Sequence, residues 1–350
     1  MSDKTKQITD EYEAKHLRNI AKAQNAIEKA YFDIVNKAIA LGLQYRIIKG
    51  RFRFAKNREL NREIEKLMDG FRQTVEVTIE NGIDYSWMLS ADKRVTVAKS
   101  RFPDLSDKLK EIVSDRQTKA LGAFKKRKVA GLKLSDRVWN LKEEFKEQLE
   151  DAVERGLKEG ISADKLAGQT KQYLQNPNKA FRRIRNKAGN LVASQPMKNY
   201  SPGQGVYKSS LQNAKRMALT EINSSYREAD SSAYAKDPLV KAIEIRLSDA
   251  HPKTDVCDYL KGIYPAGYVF RGQHPRCLCY VVPVLVNNKE YTAIEDAILE
   301  GREIPDFRKV KDIPEEAKKW LKENRERIDK LKNPPMFLSG NEKYMESFLK

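Results

Sequence analysis

Apolar residues recur every three or four positions through most of this chain, which is the period of an α-helix with one buried face. Gly, Pro and capping residues interrupt the period and set the expected helix ends; Gly82, for example, is expected to end one helix. Strand-like alternation is confined to shorter stretches. The pattern predicts helices over 9–41, 58–81, 84–99, 105–128, 135–158, 162–174, 206–236, 291–300 and 314–331, and strands over 240–247 and 277–286.

The first predicted helix carries a heptad-like apolar seam, which is typical of a helix that packs along another helix. The partner helix belongs either to this chain or to another copy or protein. The seam consists of Leu17, Ile20, Ile27, Tyr31 and Ile34.

The segment 45–54 alternates basic and aromatic residues around Lys49 and Gly50. We predict a short hairpin with Phe52 and Phe54 on its buried face. Arg51 and Arg53 would lie on the opposite face. The alternative is a contact with single-stranded nucleic acid, for which interleaved cations and rings are also suited.

The segment 176–210 breaks the helical period with several Pro and Gly residues, and it is too long for a passive connection. The expected fold class is therefore mainly α with a small α+β C-terminal unit. We expect an elongated N-terminal helical region over 1–134. A second domain over 135–286 would hold this irregular basic connector and a small sheet, and a charged helical tail would cover 287–350.

The charge distribution adds a candidate function to this outline. The 350 residues carry a net charge of +18, and 33% of them are charged, against about 25% in an average globular protein. Three stretches without acidic residues, 34–58, 116–135 and 165–216, hold 25 Lys and Arg between them. No apolar run is long enough to span a bilayer, and the first residues do not resemble a secretory signal.

Cations that are segregated in this way build a positive surface, and the phosphates of nucleic acid are the obvious polyanion for it. An acidic protein partner is the alternative. We predict that the connector provides the nucleic-acid-binding residues, namely Lys179, Arg182, Arg183, Arg185, Lys187, Lys198 and Lys208.

All three cysteines of the chain lie within 257–279, close to two of its three histidines. Thiolate and imidazole are the ligands that Zn²⁺ prefers, and four of them complete a structural site. The candidate ligands are Cys257, His274, Cys277 and Cys279, with His251 as an alternate. A strand would direct Cys277 and Cys279 to one face. The competing interpretation is a core of packed free thiols.

Catalytic chemistry has weaker support in the sequence. Glu221, Asp249, His251 and Asp255 could form an acid–base or metal-hydrolase group, but their spacing does not require one. The chain has no Walker-type loop, no dinucleotide-binding fingerprint and no nucleophile elbow. We therefore expect that the protein is not an enzyme.

Three segments of the C-terminal half, taken together, resemble a known family. They are RMALTEINSSYREA (216–229), KTDVCDYLKGIY (253–264) and HPRCLC (274–279). They are similar to the motifs of the Mu F-type phage head morphogenesis proteins, also called minor head or minor capsid proteins. The matching positions are Arg216, Thr220, Glu221, Asp255, Cys257, Gly262, His274, Pro275, Cys277 and Cys279.

The chain departs from the family where many members have a Cys-x-x-Cys motif, because Leu260 follows Cys257 at that spacing here. The resemblance implies a low-copy virion component that associates with the portal protein and phage DNA and acts in head assembly, DNA packaging or ejection. Scaffold protein, major capsid protein and further copies of the chain are other implied partners. The implied location is the head interior, and the host cytoplasm during assembly.

Two other classes of protein remain as alternatives to a minor head protein. One is a nucleic-acid-processing enzyme or toxin that carries the same domain. The other is a nucleic-acid-binding protein stabilised by one structural Zn²⁺.

Overall fold

The structure is a computed structural model that describes residues 3–47, 50–201, 206–249, 251, 254–331 and 333–349. It is mainly helical with small antiparallel sheets, which confirms the expected fold class.

None of the described helices is both long and apolar enough to cross a membrane. The helices are α1 Asp3–Gly42, α2 Arg58–Arg101, α3 Asp107–Ser114, α4 Thr118–Lys126, α5 Leu134–Glu159, α6 Ala163–Gln175, α7 Gln195–Asn199, α8 Ser210–Tyr234, α9 Val256–Tyr259, α10 Asn288–Leu299, α11 Glu315–Glu323, α12 Arg325–Asp329 and α13 Glu342–Leu349. The strands are β1 Arg183–Arg185, β2 Leu191–Ala193, β3 Val240–Arg246, β4 Gly262–Pro265 and β5 Tyr280–Leu285.

The chain divides into two compact units that are not continuous in sequence. Unit 1 comprises residues 1–21, 80–130 and 219–350, and unit 2 comprises 22–79 and 131–218. Helices α1, α2 and α8 therefore contribute residues to both units. The division into 1–134, 135–286 and 287–350 follows the sequence pattern and stays a prediction.

Unit 2 is built around rings that come from three of its helices. Tyr31 of α1 contacts Phe71 of α2 and Phe145 of α5, with ring centroids 4.7 and 4.4 Å away. Ile27 and Ile34 of the seam are also buried within the chain. The seam is therefore internal packing over most of its length, and only Leu17 is largely exposed.

The segment before α2 differs from the predicted hairpin. Its described residues form no strand, although Lys49 lies outside the described residues. Phe52 and Phe54 are buried as expected. Arg51 and Arg53 contact acids of α5 instead of forming a free basic face: Arg53 Nη1 lies 2.8 Å from the carboxylate of Glu150. Helix α5 thus replaces the expected partner strand.

Gly82 does not end a helix, because α2 continues through it to Arg101. A Cβ atom at Gly82 would lie 2.4 Å from Cδ1 of Ile222, so the glycine permits close packing of α8 against α2. The predicted helix over 105–128 is likewise corrected to two helices, α3 and α4. They are separated at Gln117, which has a positive φ of 50°.

The sheet of unit 1 has the antiparallel order β4-β3-β5. Strand β3 lies at its centre, pairing Ile243 with Tyr264 of β4 and with Pro283 of β5. Pro283 is tolerated because β5 is an edge strand and proline has no N–H to donate. The core beside this sheet includes all three cysteines and apolar residues of α11 and α12.

Candidate functional site

The three cysteines lie in two segments of unit 1. Cys257 is the second residue of the short helix α9, where the Asp255 carboxylate caps the helix by accepting a hydrogen bond from the Cys257 N–H at 2.7 Å. Cys277 and Cys279 precede β5, so the prediction that both lie on a strand face was wrong. Both are nevertheless buried, whereas Leu278 between them is only half-buried.

The structure brings the five predicted ligand residues together in one cluster, which we call the Cys/His cluster: Cys257, Cys277, Cys279, His251 and His274. The Sγ atoms of Cys257 and Cys277 lie 3.7 Å apart. Cys257 belongs to two groups of candidate ligand atoms that lie within 4.8 Å of one another. One group contains His274 and Cys277, and the other contains His251 and Cys279.

Hydrogen bonds among the thiols shift the pKa values of Cys257 and Cys277 in opposite directions. The Cys257 thiol, with a further contribution from Cys279, stabilises the thiolate of Cys277 and lowers its pKa. The same hydrogen bond to Cys277 raises the pKa of Cys257, and burial adds to this effect. Cys277 is therefore the thiol that deprotonates first in the cluster, and the thiolate is the form that binds a metal.

Two carboxylates border the imidazoles of the Cys/His cluster. Nε2 of His274 lies 3.0 Å from Asp255, and Nε2 of His251 lies 2.9 Å from Asp258. The hydrogen bond from His251 lowers the pKa of Asp258. Nδ1 of His274 is 2.8 Å from the carbonyl oxygen of Pro275, a contact that fixes the orientation of the ring.

Helix α8 holds the loop that carries Cys277. The Asn223 amide donates to the Cys277 carbonyl at 2.7 Å, and the Arg276 N–H donates to Thr220 Oγ1 at 3.4 Å. The other end of the Asn223 amide accepts from Nε2 of His16 at 2.9 Å. Nothing in the sequence marks Asn223 as a positioning residue, because only the fold shows that α8 faces this loop.

The remaining family-motif residues have separate environments. Glu221 is buried and pairs with Arg127 at 2.6 Å, so it is held by an ion pair of unit 1. Gly262 has a φ of 127°, a conformation that favours glycine. Arg216 belongs to unit 2, where its guanidinium lies 5.2 Å from the centre of the Tyr207 ring.

A buried network of charges in unit 1 was not predicted from the sequence. Lys93 and Asp230 form a fully buried ion pair at 2.5 Å. Arg227 is also fully buried and pairs with Glu13, with Nη2 at 2.6 Å from the carboxylate. His16 stacks on Tyr226 with ring centroids 4.2 Å apart. These groups come from three helices, so no local sequence motif marks them.

The basic connector of unit 2 is less irregular than expected, because it contains the β1–β2 hairpin and α7. All seven residues predicted to bind nucleic acid are exposed. In the part of the chain that the structure describes, none of the seven forms an ion pair with a carboxylate. The ion pairs of this unit use other cations, such as Arg51 and Lys215.

Comparison of the chain with family models, with curated protein sequences and with solved structures finds no match.

Proposed function

We propose that this protein is a minor head protein of the Mu F type, a low-copy virion component that contacts the portal protein and packaged DNA. The proposal rests on the three motif segments of the C-terminal half. It assigns the protein to the head interior and gives it a role in head assembly and in DNA packaging or ejection.

The observation that carries the proposal is the contact between motif segments that are distant in sequence. Asn223 and Thr220, on the RMALTEINSSYREA helix, bind the backbone of the HPRCLC loop. Cys257, from the KTDVCDYLKGIY segment, contacts Cys277 of the same loop. Segments that build one substructure support a shared origin better than isolated motif matches do.

A role in binding DNA is supported by the connector. Its cations are exposed and have no carboxylate partners among the described residues, so their positive field is not cancelled locally. A hairpin that carries Arg183 and Arg185 next to Lys187 suits contacts to phosphates, which need no base sequence.

We also propose that the Cys/His cluster binds one structural Zn²⁺ through Cys257, Cys277, Cys279 and His274. Three thiolates and one imidazole are a donor set of structural zinc sites, and they leave no position for substrate. The contact of His274 Nδ1 with a carbonyl oxygen makes Nε2 the ligand atom, which would exchange its 3.0 Å contact with Asp255 for the ion. The ion would join α9 to the loop before β5.

The zinc proposal is tested by elemental analysis of protein purified without added metal. We expect about one zinc per chain and a lower melting temperature after treatment with a chelator. His274→Ala should lose the metal, whereas His251→Ala, in the same cluster, should retain it. The reverse result would make His251 the ligand. A zinc content near zero with unchanged stability in chelator would leave only packed thiols.

Binding to DNA is tested by the salt dependence of the affinity of the full chain. Replacement of Arg182, Arg183, Arg185 and Lys187 by Gln should weaken binding and reduce the log–log slope by about 0.9 for each phosphate that is no longer neutralised. The matched control replaces four exposed cations outside the connector, namely Lys319, Lys322, Arg325 and Lys330. An unchanged slope in the connector variant would assign this surface to an acidic protein partner.

The virion role is tested by mass spectrometry of purified heads and by co-purification with the portal protein of the same phage. We expect the chain in mature heads at a small fraction of the major capsid protein, and in portal-containing particles before DNA is packaged. Its absence from heads, together with nuclease or other nucleic-acid-processing activity, would support the enzyme or toxin class instead.

A further inference from the structure

Unit 2 contains a cavity of about 650 Å³ beside the connector, and the predicted DNA-binding residues Lys179, Arg182 and Lys208 are part of its lining. Its walls come from α5, α6 and the connector. The volume lies within the range of about 300–1,000 Å³ that is typical of sites for small molecules. Its walls carry rings together with charged groups of both signs, so a purely apolar ligand does not suit it.

Arg155 of α5 supplies this cavity with a guanidinium group that is not fully hydrogen-bonded. Its Nε and Nη2 atoms are buried and have no hydrogen-bond partner among the described residues. The guanidinium lies 4.9 Å from the centre of the Tyr173 ring. Buried guanidinium donors without an acceptor are costly, and an anionic ligand would satisfy them with charge-assisted hydrogen bonds.

Glu144 of α5 supplies a carboxylate to the same cavity, and the described side chains that donate to it, Asn213 and Gln148, are neutral amides. It accepts hydrogen bonds from the neutral Asn213 amide at 3.0 and 3.1 Å, and no cation pairs with it among the described residues. Burial raises the pKa of Glu144 to about 7, which reflects this lack of a cation. By contrast, Asp151 and Glu154 in the same wall pair with Arg51 and Lys158.

The spacing of these two groups restricts the shape of a ligand. Glu144 and Arg155 are eleven residues apart in one helix. At about 100° per residue they lie on the same side of α5, with Cα atoms about 16 Å apart along the axis. A ligand that contacts both is therefore elongated, with an anion at one end and hydrogen-bond donors at the other.

Aromatic side chains of the connector complete the cavity wall. Phe181 and Tyr200 contact each other edge to face, with ring centroids 4.8 Å apart. Neither residue is fully buried, and Lys208 Nζ lies 5.4 Å from the centre of the Phe181 ring. Partly exposed rings next to cations are suited to stacking with a nucleobase.

We propose that this cavity binds a guanine nucleotide, either free or as an unpaired residue of a nucleic-acid strand. Arg155 binds its phosphate, and Phe181 and Tyr200 contact its ring. The N1–H and N2–H groups of guanine donate in parallel to the Glu144 carboxylate. Adenine and cytosine offer a single amino group at this edge and fit the carboxylate less well.

The test is calorimetric titration of the full chain with GMP, IMP and AMP. IMP differs from GMP only in the missing 2-amino group, so we expect it to bind about tenfold more weakly. Arg155→Gln should weaken GMP binding tenfold or more. Glu144→Gln should reduce the preference for GMP over IMP, which loss of the fold would not do selectively. The matched controls are Arg62→Gln and Glu63→Gln, at exposed positions of the same unit.

Two further arms identify the source of the ligand and guard against misfolding. The oligonucleotides TTGTT and TTTTT are compared with free GMP. Binding of TTGTT that is tighter than that of both TTTTT and GMP identifies a strand, and equal binding of the two oligonucleotides with saturable binding of GMP identifies a free nucleotide. A thermal melt shows whether Arg155→Gln remains folded, and Phe181→Leu provides a second variant with weaker binding. The proposal is overturned if wild-type protein does not bind GMP saturably, if GMP and IMP bind equally, or if folded Arg155→Gln binds as wild type.

Discussion

Two sets of basic side chains in this chain have opposite surroundings. In unit 1, Lys93 and Arg227 are fully buried, and each contacts a carboxylate, from Asp230 and Glu13. In unit 2, the cations of the connector are exposed and have no such partner among the described residues. The first set satisfies its charge inside the fold, whereas the second leaves its charge available to a ligand. Net charge alone does not separate these roles; burial and partners do.

The largest effect should follow from breaking a buried pair of unit 1. Asp230→Ala leaves the Lys93 ammonium buried without a carboxylate, and we expect a loss of about 3–5 kcal/mol in the free energy of unfolding. Urea titration measures it. The control Glu111→Ala, in an exposed pair with Lys108, should cost less than about 1 kcal/mol.

The double variant Lys93→Met with Asp230→Leu sharpens this result. It removes both charges and should recover most of the loss, because no uncompensated ion remains. An Asp230→Ala protein within about 1 kcal/mol of wild type would contradict the assigned role of the pair.

The same comparison shows what the sequence could predict. Helical period and capping residues located most helices. Helix α5, expected over 135–158, covers Leu134–Glu159 and is followed by Gly160, which has a positive φ of 65°. The prediction of a helix end at Gly82 was wrong. The absence of a side chain there allows close packing against Ile222 and does not end the helix. Local patterns describe one element, whereas that contact joins two elements far apart in the sequence.

The Cys/His cluster was predictable as a set of residues but not as a geometry. Clustering of every cysteine near two histidines marked the candidate ligands correctly as neighbours. Their placement on a strand was wrong, because Arg276 adopts a positive φ of 67° and the loop continues to Cys279. Asn223, whose amide holds this loop, carries no signal in the sequence alone.

An intermediate loss of stability should follow from Asn223→Ala, which removes the hydrogen bond between α8 and the loop that carries Cys277. It removes hydrogen bonds to the Cys277 carbonyl and to His16, so we expect a loss of about 1–3 kcal/mol in unfolding free energy. The thiols should react faster with a thiol reagent under native conditions. The control Gln172→Ala, at an exposed amide, should change neither quantity. Wild-type thiol reactivity in Asn223→Ala would contradict a positioning role for the amide.

A smaller effect concerns the pH dependence of unit 1. Burial lowers the pKa of His16 well below its ordinary value of 6.5, and the nearby charges of Arg227 and Lys93 lower it further. The folded state thus binds the proton less readily than the unfolded state. His16 therefore favours folding above pH 6.5, and this contribution is lost as the pH falls below 6.5.

Between about pH 7.5 and 5.5 this loss should be about 1 kcal/mol. It is measured as the difference in pH dependence between wild type and His16→Gln in urea titrations, which cancels the contributions of the rest of the chain. Equal pH dependence in the two proteins would mean that the pKa of His16 is the same in the folded and unfolded states. It would also weaken the interpretation that the buried ion pairs of unit 1 are complete while His16 is neutral.

The smallest effect on stability is expected from replacing exposed cations of the connector, in contrast to the buried cations of unit 1. Arg183, Arg185 and Lys187 are exposed and form no ion pair with a described residue, so replacing all three by Gln breaks no favourable contact with a carboxylate. We expect the unfolding free energy to stay within about 0.5 kcal/mol of wild type. Any change should be a slight gain at low salt, because repulsion within the basic surface decreases, and it should vanish at high salt. A loss above about 1 kcal/mol would show that these cations stabilise the fold, as Lys93 does, and that the two sets do not differ in role.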